Sequence, residues 1–183
     1  MADEIEKWPR VTTVLGPLSD FSHIDPEVLA HAAARGTAVH LATALFDLDD
    51  LDEGSLDPEV LPYLTGWMKF RNDTGFTPFP GGIELPVVSA RHKYRGTLDR
   101  IGEMKGKRVL IDIKSGMVGL GAGPQTAAYL AAVNETVINH IQRRYIVQLT
   151  PDSDYRLIPM TSADDLPEFL NLLGHYRFLE RHS

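Results

Sequence analysis

The chain has 183 residues, of which 43% are hydrophobic and 23% charged, which suits one compact domain with a hydrophobic core over residues 1–183. It contains no cysteine, and this excludes disulfides, zinc–thiolate and iron–sulfur centres and cysteine nucleophiles. No apolar run approaches the roughly 20 residues of a membrane helix. Residues 1–6 are acidic and no apolar stretch follows them, so we expect no secretory signal and a cytoplasmic protein.

Charge is distributed unevenly along the chain, whose formal net charge is −7. Through Glu59 there are three Lys or Arg against thirteen Asp or Glu, whereas from Arg91 to Lys114 there are eight basic residues against three acidic ones. The sequence therefore predicts a basic patch beside an acidic lobe. A solvated hairpin rich in lysine is the alternative explanation.

Helices are predicted first. After a loop over residues 19–25, Asp25 is placed to cap a helix that starts at Pro26 and ends near Phe46, because Pro suits a first helical turn. A second helix is predicted from Pro58 to Asn72, with Trp67 and Phe70 in the core. Residues 75–82 are rich in Pro and Gly, which predicts no regular structure there.

Strands dominate the middle of the chain. Apolar alternation predicts strands at residues 83–88, 94–103, 107–115, 144–149 and 155–160. A helix is predicted from Pro124 to about Asn139, and a last helix from between residues 162 and 167 to near the end. The apolar stripe of that last helix is Leu166, Phe169, Leu170, Leu173 and Phe178. The order of elements indicates an α/β fold with a mixed sheet of about five strands flanked by helices.

The hairpin from Tyr94 to Ser115 carries the strongest local prediction. A tight turn centred on Lys105-Gly106 pairs residues whose numbers sum to 211, so Asp99 would face Asp112 and Thr97 would face Lys114. Val109, Ile111 and Ile113 would point the other way, into a core. A slip of one residue would instead move Asp99 to the opposite face.

Two opposed aspartates repel each other unless a cation lies between them, and their oxygens suit a hard ion such as Mg²⁺ or Mn²⁺. A neighbouring lysine can stabilise the charge that develops when a phosphodiester is hydrolysed. Asp99, Asp112 and Lys114 are therefore the candidate catalytic residues. The alternative is an ordinary surface hairpin with Asp–Lys cross-strand pairs.

Several motifs extend the hairpin into a recognisable set. Asp99 followed by Asp112-Ile113-Lys114 resembles the motif of the PD-(D/E)XK nuclease superfamily. Three further pieces resemble its RecB-like and phage exonuclease branch, in that family's order: Arg35-Gly36-Thr37-Ala38-Val39-His40, Tyr94-Arg95-Gly96-Thr97-Leu98-Asp99 and Gln125-Thr126-Ala127-Ala128-Tyr129. The resemblance covers residues 35–129 and implies a restriction-endonuclease-like fold and a magnesium-dependent DNA nuclease.

The resemblance also implies roles for single residues. Asp99, Asp112 and the backbone carbonyl of Ile113 would bind the metal, and Lys114 would be the catalytic lysine. His40 would be either a further metal ligand or a supporting residue beside the ligands. Gln125 and Tyr129 would lie beside the catalytic strands and contact DNA or Lys114, and Glu84 would be a supporting residue. The candidate DNA contacts are Arg91, Lys93, Arg95 and Arg35. Gly36, inside a helix, suggests a close approach to another element.

Some features depart from the pattern or leave the function open. Leu98, not Pro, precedes Asp99, and the glycine-rich residues 116–123 lack the Lys-Ser/Thr of a phosphate-binding loop, so we interpret them as a flexible loop beside the DNA groove. A non-catalytic DNA-binding or assembly module and a hydrolase of small phosphoesters are the competing functions. The family would allow a recombination or annealing protein as partner, although no residue pattern indicates one.

Overall fold

The computed structural model describes residues 2–18, 24–136 and 140–182. The helices are α1 (Ala2–Ile5), α2 (Val11–Val14), α3 (Pro26–Asp47), α4 (Leu61–Thr74), α5 (Ala122–Asn134) and α6 (Asp165–Glu180). The strands are β1 (Thr77–Ser89), β2 (Tyr94–Met104), β3 (Lys107–Lys114), β4 (Arg143–Leu149) and β5 (Tyr155–Pro159). The predicted order of two long helices, three strands, a helix, two strands and a helix is confirmed.

The five strands form one mixed sheet in the order β1-β2-β3-β4-β5. Strands β3 and β4 are parallel, and the other neighbours are antiparallel. The α5 helix makes the parallel crossover, and β3 and β4 therefore end at the same edge of the sheet. The α/β fold with helices on both sides is thus the predicted one.

Hydrophobic cores lie on both faces of the sheet. The first core packs α2, α5 and α6 against residues such as Leu98 and Leu110. The second packs α3 and α4 against Val109, Ile111 and Ile113, which is the direction predicted for these three residues. Because β3 contributes to both cores, it is covered on both faces and is held firmly between the helical layers.

The start of α3 follows from its sequence. The Asp25 carboxylate accepts hydrogen bonds from the backbone N–H of Glu27 at 2.8 Å and of Val28 at 3.4 Å, and Pro26 occupies the first turn. These contacts satisfy amide groups that have no partner inside the helix. The predicted cap is confirmed, and it fixes where the helix that carries His40 begins.

The turn between β2 and β3 also forms as predicted. Lys105 and Gly106 have φ angles of 51° and 70°, which is the left-handed pair that a two-residue hairpin turn requires. The predicted register holds for five pairs, from Met104↔Lys107 to Arg100↔Ile111. The ladder between β2 and β3 ends there, so the predicted pairs Asp99–Asp112 and Thr97–Lys114 do not form as ladder pairs. On its other side, Thr97 is paired with Pro86 of β1.

Three predictions for these elements are wrong, and the first has an identifiable reason. Residues 75–82 are not irregular, because β1 starts at Thr77 and absorbs its Pro and Gly residues in a register shift between Pro78 and Ile83. An edge strand tolerates Pro, since one side of its backbone needs no partner strand. The second helix starts at Leu61 and not at Pro58. Phe178, predicted to join the apolar stripe of the last helix, is 50% exposed.

The ends of two predicted segments fall outside the described residues, namely 19–23 of the first loop and 137–139 of the predicted helix end. The short α1 and α2 helices were not predicted, although Val11 and Val14 of α2 are buried in the first core. No helix in the described part of the chain is long and apolar enough to cross a membrane.

Candidate active site

The candidate catalytic residues meet at the edge of the sheet where β3 ends. Lys114 Nζ lies 2.9 Å from Asp112 Oδ2. Asp99 Oδ2 accepts a hydrogen bond of 2.6 Å from the backbone N–H of Ile113, the residue after Asp112. The structure therefore brings Asp99, Asp112 and Lys114 together, although no direct ladder pair joins the two aspartates.

Asp99 lies where β2 changes the direction of its side chains. Leu98 and Ile101 both pack in the first core, whereas Arg100 turns to the α3 side and stacks on Trp67. Regular alternation would place Leu98 and Arg100 on one face. The irregularity coincides with the end of the β2–β3 ladder, so the Asp99 carboxylate can be reached from α3 while it also bonds to the β3 backbone.

His40, Glu84 and Asp99 together have the composition of a metal site, and we call these three residues the candidate metal group. One ligand atom from each of His40, Glu84 and Asp99 falls within 4.8 Å of the others. His40 Nδ1 is 3.5 Å from Asp99 Oδ1 and 3.9 Å from Glu84 Oε1. Three elements supply these residues: α3, β1 and β2. An imidazole and two carboxylates can bind a divalent cation.

The carboxylate of Asp112 completes the test of whether a cation fits. Asp112 is 1% exposed, and neither of its side-chain oxygens accepts a hydrogen bond of normal geometry from the described residues. Its contact with Lys114 Nζ is an ion pair. A buried carboxylate normally receives several hydrogen bonds, because its desolvation is costly. The free acceptor capacity therefore fits a cation beside Asp99 and Asp112.

Lys114 is held from the other side by α5. Its Nζ donates a hydrogen bond of 3.0 Å to Gln125 Oε1, and the Gln125 amide lies 3.5 Å from the Tyr129 hydroxyl. Gln125 and Tyr129 are four residues apart and so share a helix face. The predicted neighbourhood of these two residues and Lys114 is what the structure shows.

The electrostatics of the group follow from burial and from its uneven charges. Burial lowers the pKa of His40, but the carboxylates of Asp99, Glu84 and Asp112 outweigh it and raise this pKa to about 9. Burial raises the pKa of Asp99 to about 6, and the charge of Asp112 acts in the same direction against His40 and Lys114. Without a metal, the His40 imidazolium therefore offsets part of the acidic charge.

The pKa of Lys114 is also raised. Burial lowers it, but the charges of Asp112 and Asp99 raise it by more. Lys114 is therefore an ammonium group at neutral pH. In this state it can donate hydrogen bonds and stabilise negative charge, whereas it cannot accept a proton.

The stability of the metal-free protein should depend on the protonation of His40. Because its pKa is about 9 in the folded chain and about 6.5 in an unfolded one, its contribution is complete below about pH 6.5 and is lost as the pH rises through about 9. We expect the free energy of unfolding in EDTA to fall by about 1–3 kcal/mol across that range. Urea denaturation at the two ends of this range, about pH 6.5 and about pH 9, measures the change in the free energy of unfolding.

The control for this effect is His40→Gln, which leaves the other six histidines in place. The variant should lose most of the fall between the two pH values. Equal slopes for the variant and the wild type would show that His40 does not have a raised pKa.

Gly96 leaves space for the ring of Tyr129, because it has no side chain. A Cβ atom added at Gly96 would lie 2.6 Å from Tyr129 Cε1, closer than such atoms approach in proteins. We expect Gly96→Ala to destabilise the fold by about 1–3 kcal/mol and to slow any reaction at Lys114, because Tyr129 moves with Gln125. Gly119→Ala is the control, since a Cβ there meets nothing within 4 Å. Wild-type stability for Gly96→Ala in thermal denaturation would refute the contact.

Gly36 does not show the close approach that was predicted for it. An added Cβ would lie 3.7 Å from Ser115 Oγ, which is an ordinary contact distance. The reason for a glycine at this helical position is therefore not steric. This short distance shows that Gly36 of the α3 helix lies beside Ser115, the residue after Lys114.

The loop after β3 runs beside the site. Gln148 Nε2 donates a hydrogen bond of 2.9 Å to the carbonyl of Gly116, which ties the start of the loop to β4. Met117 and Leu120 are 88% and 83% exposed. The start of the loop therefore lies next to Lys114, and its place beside a DNA groove stays a prediction.

The basic stretch does not form one patch, so that prediction is wrong. Lys93 and Lys105 lie in turns at opposite ends of β2, which is about 35 Å long at roughly 3.3 Å per residue. Arg95 binds the Glu6 carboxylate at 3.0 Å, and Arg100 is fully buried in ion pairs. Residues adjacent in sequence were separated because β2 alternates its faces and ends in two hairpins.

The four candidate DNA contacts have different surroundings. Arg91 and Lys93 are exposed at the tip of the β1–β2 hairpin. Arg95 is engaged by Glu6 and by the Trp8 carbonyl, and Arg35 by Glu59 at 3.3 Å. The structure does not bring these four residues into one cluster.

Sequence reasoning missed the ion pairs beneath the site. Arg100 binds Asp47 Oδ2 at 2.7 Å and Glu84 Oε1 at 2.9 Å, and both Arg100 and Asp47 have fully buried side chains. The sequence offered no specific signal for them, because Arg100 lies in a strand that also holds Arg95, Asp99 and Glu103. Its partners could not be named, because Asp47 ends a helix 53 residues earlier.

Comparison with known proteins gives the fold and little else. No protein-family model matches the chain, and no curated protein matches it in sequence. Among solved structures it is similar to a protein from Eubacterium rectale named "Putative exonuclease", with a TM-score of 0.52 and 12% identity. The match covers 79% of this chain and 66% of that one, so the chain spans less than two thirds of that protein's length. The chain therefore has a nuclease-like α/β fold.

Proposed function

We propose that the chain is a metal-dependent DNA nuclease of the RecB-like and phage exonuclease branch of the PD-(D/E)XK superfamily. The observation that carries the proposal is the buried Asp112 carboxylate, which accepts no hydrogen bond of normal geometry from the described residues. It lies 2.9 Å from Lys114 Nζ and precedes Ile113, whose backbone N–H binds Asp99. A charged group is retained at such a position at considerable cost unless it binds something. In a nuclease centre, a divalent metal ion would be the partner of the Asp112 carboxylate.

The metal would be Mg²⁺ or Mn²⁺, bound by Asp99 and Asp112. The backbone carbonyl of Ile113 and the His40 imidazole are further candidate ligands, and Glu84 lies within the same group. When bound, such an ion supplies Lewis acidity and lowers the pKa of a coordinated water. Oxygen-rich sites of this kind favour hard cations.

Lys114 and its neighbours supply the remaining chemistry. As an ammonium group fixed by Gln125 and Asp112, Lys114 is positioned to stabilise the negative charge that develops on a phosphate in the transition state. Its raised pKa makes it a donor and not a base. Gln125 and Tyr129 act by orienting it.

The substrate and pathway are proposed at a coarser level. Exposed Arg91 and Lys93 at the hairpin tip suit phosphate contacts, whereas Arg95 and Arg35 would first have to leave their carboxylate partners. An exonuclease that acts on DNA ends in recombination, repair or phage DNA processing, within the cytoplasm, fits the motif set. The similarity to the Eubacterium rectale protein named "Putative exonuclease" supports an exonuclease.

A panel of substrates tests the proposal. Purified protein is incubated with linear and circular DNA, single- and double-stranded, and with a small phosphodiester, in Mg²⁺, Mn²⁺ or EDTA. Lys114→Ala, prepared in parallel, controls for contaminating nucleases. We expect digestion of linear DNA only with the divalent ion and only by the wild type.

Other outcomes decide between the competing functions. If the protein binds metal and DNA but digests nothing, it is a non-catalytic DNA-binding or assembly module. If it cleaves only the small ester, it is a phosphoesterase of another kind. Cleavage of circular DNA at the same rate as linear DNA would exclude a strict exonuclease while keeping the metal centre.

A further inference from the structure

The buried Arg100 contacts each element that contributes to the candidate metal group. Its Nη1 donates to Glu84 Oε1 at 2.9 Å and to the backbone carbonyl of Asp99 at 2.7 Å. Its Nη2 donates to Thr43 Oγ1 at 3.2 Å, on the helix that carries His40. One guanidinium therefore joins β1, β2 and α3 directly behind the three residues of the group.

Arg100 is itself anchored from below. Its Nε donates to Asp47 Oδ2 at 2.7 Å. Asp47 also accepts from Arg71 Nη1 at 2.7 Å and from Trp67 Nε1 at 3.0 Å, so its position is fixed by three donors. The planar guanidinium of an arginine holds Asp47 and Glu84 in a fixed geometry, which the flexible ammonium group of a lysine does not reproduce.

The backbone of Glu84 adopts an unusual conformation. Its φ angle is 46°, a left-handed value that a residue with a side chain adopts at a cost. Its side chain is 40% exposed, and it is held on the inner side by Arg100. Arg100 Nη1 donates to this carboxylate at 2.9 Å, whereas His40 Nδ1 lies 3.9 Å away, so Arg100 makes the shorter of the two contacts that hold Glu84 beside Asp99.

We propose that Arg100 is a positioning residue that fixes Glu84 in the metal group, so that Glu84 contributes to cation binding. The inference rests on the metal centre proposed above. Glu84 is held beside the metal by a buried chain of contacts that runs from Asp47 through Arg100. Residues that orient metal ligands commonly change metal affinity by about 10–100-fold when they are replaced.

The test measures Mn²⁺ binding by isothermal titration in the absence of DNA. Arg100→Lys keeps the positive charge and removes the planar guanidinium, and Glu84→Gln keeps the shape and removes the ligand charge. We expect each single variant to bind Mn²⁺ about 10–100-fold more weakly. In the Glu84→Gln background, Arg100→Lys should weaken binding by less than about 3-fold, because its effect acts through Glu84.

Arg71→Lys is the matched control. It alters the same Asp47 through a contact of the same length, but Arg71 makes no contact with the metal group. It should lower the unfolding midpoint in EDTA and leave Mn²⁺ affinity unchanged. Circular dichroism of every variant checks that it is folded before the titration.

Two outcomes would overturn the inference. One is an Arg100→Lys variant that is less stable but binds Mn²⁺ as tightly as the wild type. The other is an equal loss of affinity from Arg100→Lys with and without Glu84→Gln. Neither depends on cleavage, so a protein that binds Mn²⁺ normally but digests no DNA would contradict the proposed function and leave this inference intact.

Discussion

Lys114→Ala is expected to slow the cleavage of linear DNA by about 10²–10⁴-fold with little change in the fold. The ammonium group lies 2.9 Å from Asp112 and 3.0 Å from Gln125, and both contacts fix its direction. In the proposed mechanism, removing it takes away a charge that would stabilise the transition state. Because only the rate of the chemical step depends on this charge, DNA binding should change much less than cleavage.

Single-turnover rates on an end-labelled linear duplex in Mg²⁺ measure this effect. Lys69→Ala is the control, because Lys69 forms an exposed ion pair with Asp154 at 2.7 Å and lies away from the site. The control should cleave like the wild type. If Lys114→Ala cleaves within about 3-fold of the wild type, Lys114 has no catalytic role.

Asp112→Asn is expected to abolish cleavage and to stabilise the metal-free protein. The carboxylate is 1% exposed and accepts no hydrogen bond of normal geometry from the described residues. It also raises the pKa of Asp99, which shows that the two negative charges oppose each other. Removing one charge should relieve this repulsion by about 1 kcal/mol in EDTA, and Lys114 keeps its hydrogen bond to Gln125.

The response to metal gives the second half of that result. A ligand at 100 times its dissociation constant stabilises a folded protein by about 2.7 kcal/mol, so saturating Mn²⁺ should raise the unfolding midpoint of the wild type. Asp112→Asn should lack this increase. A variant that is stabilised by Mn²⁺ as strongly as the wild type would show that the ion binds elsewhere.

Local rules predicted much of the fold. The Asp25 cap, the left-handed turn at Lys105-Gly106 and the inward direction of Ile111 and Ile113 each depend on neighbours within a few residues. The contact of Gln125 with Lys114 was not local, and it followed from the resemblance to known motifs rather than from spacing.

What could not be predicted depends on contacts across the sheet. Ideal alternation placed Asp99 opposite Asp112, but the side chains change face at Asp99, where the ladder with β3 ends. Pro78 and Gly81 suggested a loop, although an edge strand accepts them. The contacts that occupy Arg95 and Arg100 come from Glu6 and Asp47, which are distant in sequence. Net charge over a stretch therefore said little about its surface.

The most direct test of the candidate site compares wild-type protein with Asp99→Asn on a linear duplex labelled at one end. Asp99 contacts His40 on α3 and the backbone of Ile113 on β3. It therefore connects the candidate metal group to the strand that carries Asp112 and Lys114. The wild type should degrade the duplex in Mg²⁺ and not in EDTA, and Asp99→Asn should leave it intact in both. Degradation in EDTA, or equal degradation by Asp99→Asn in Mg²⁺, would contradict a metal-dependent nuclease centred on Asp99, Asp112 and Lys114.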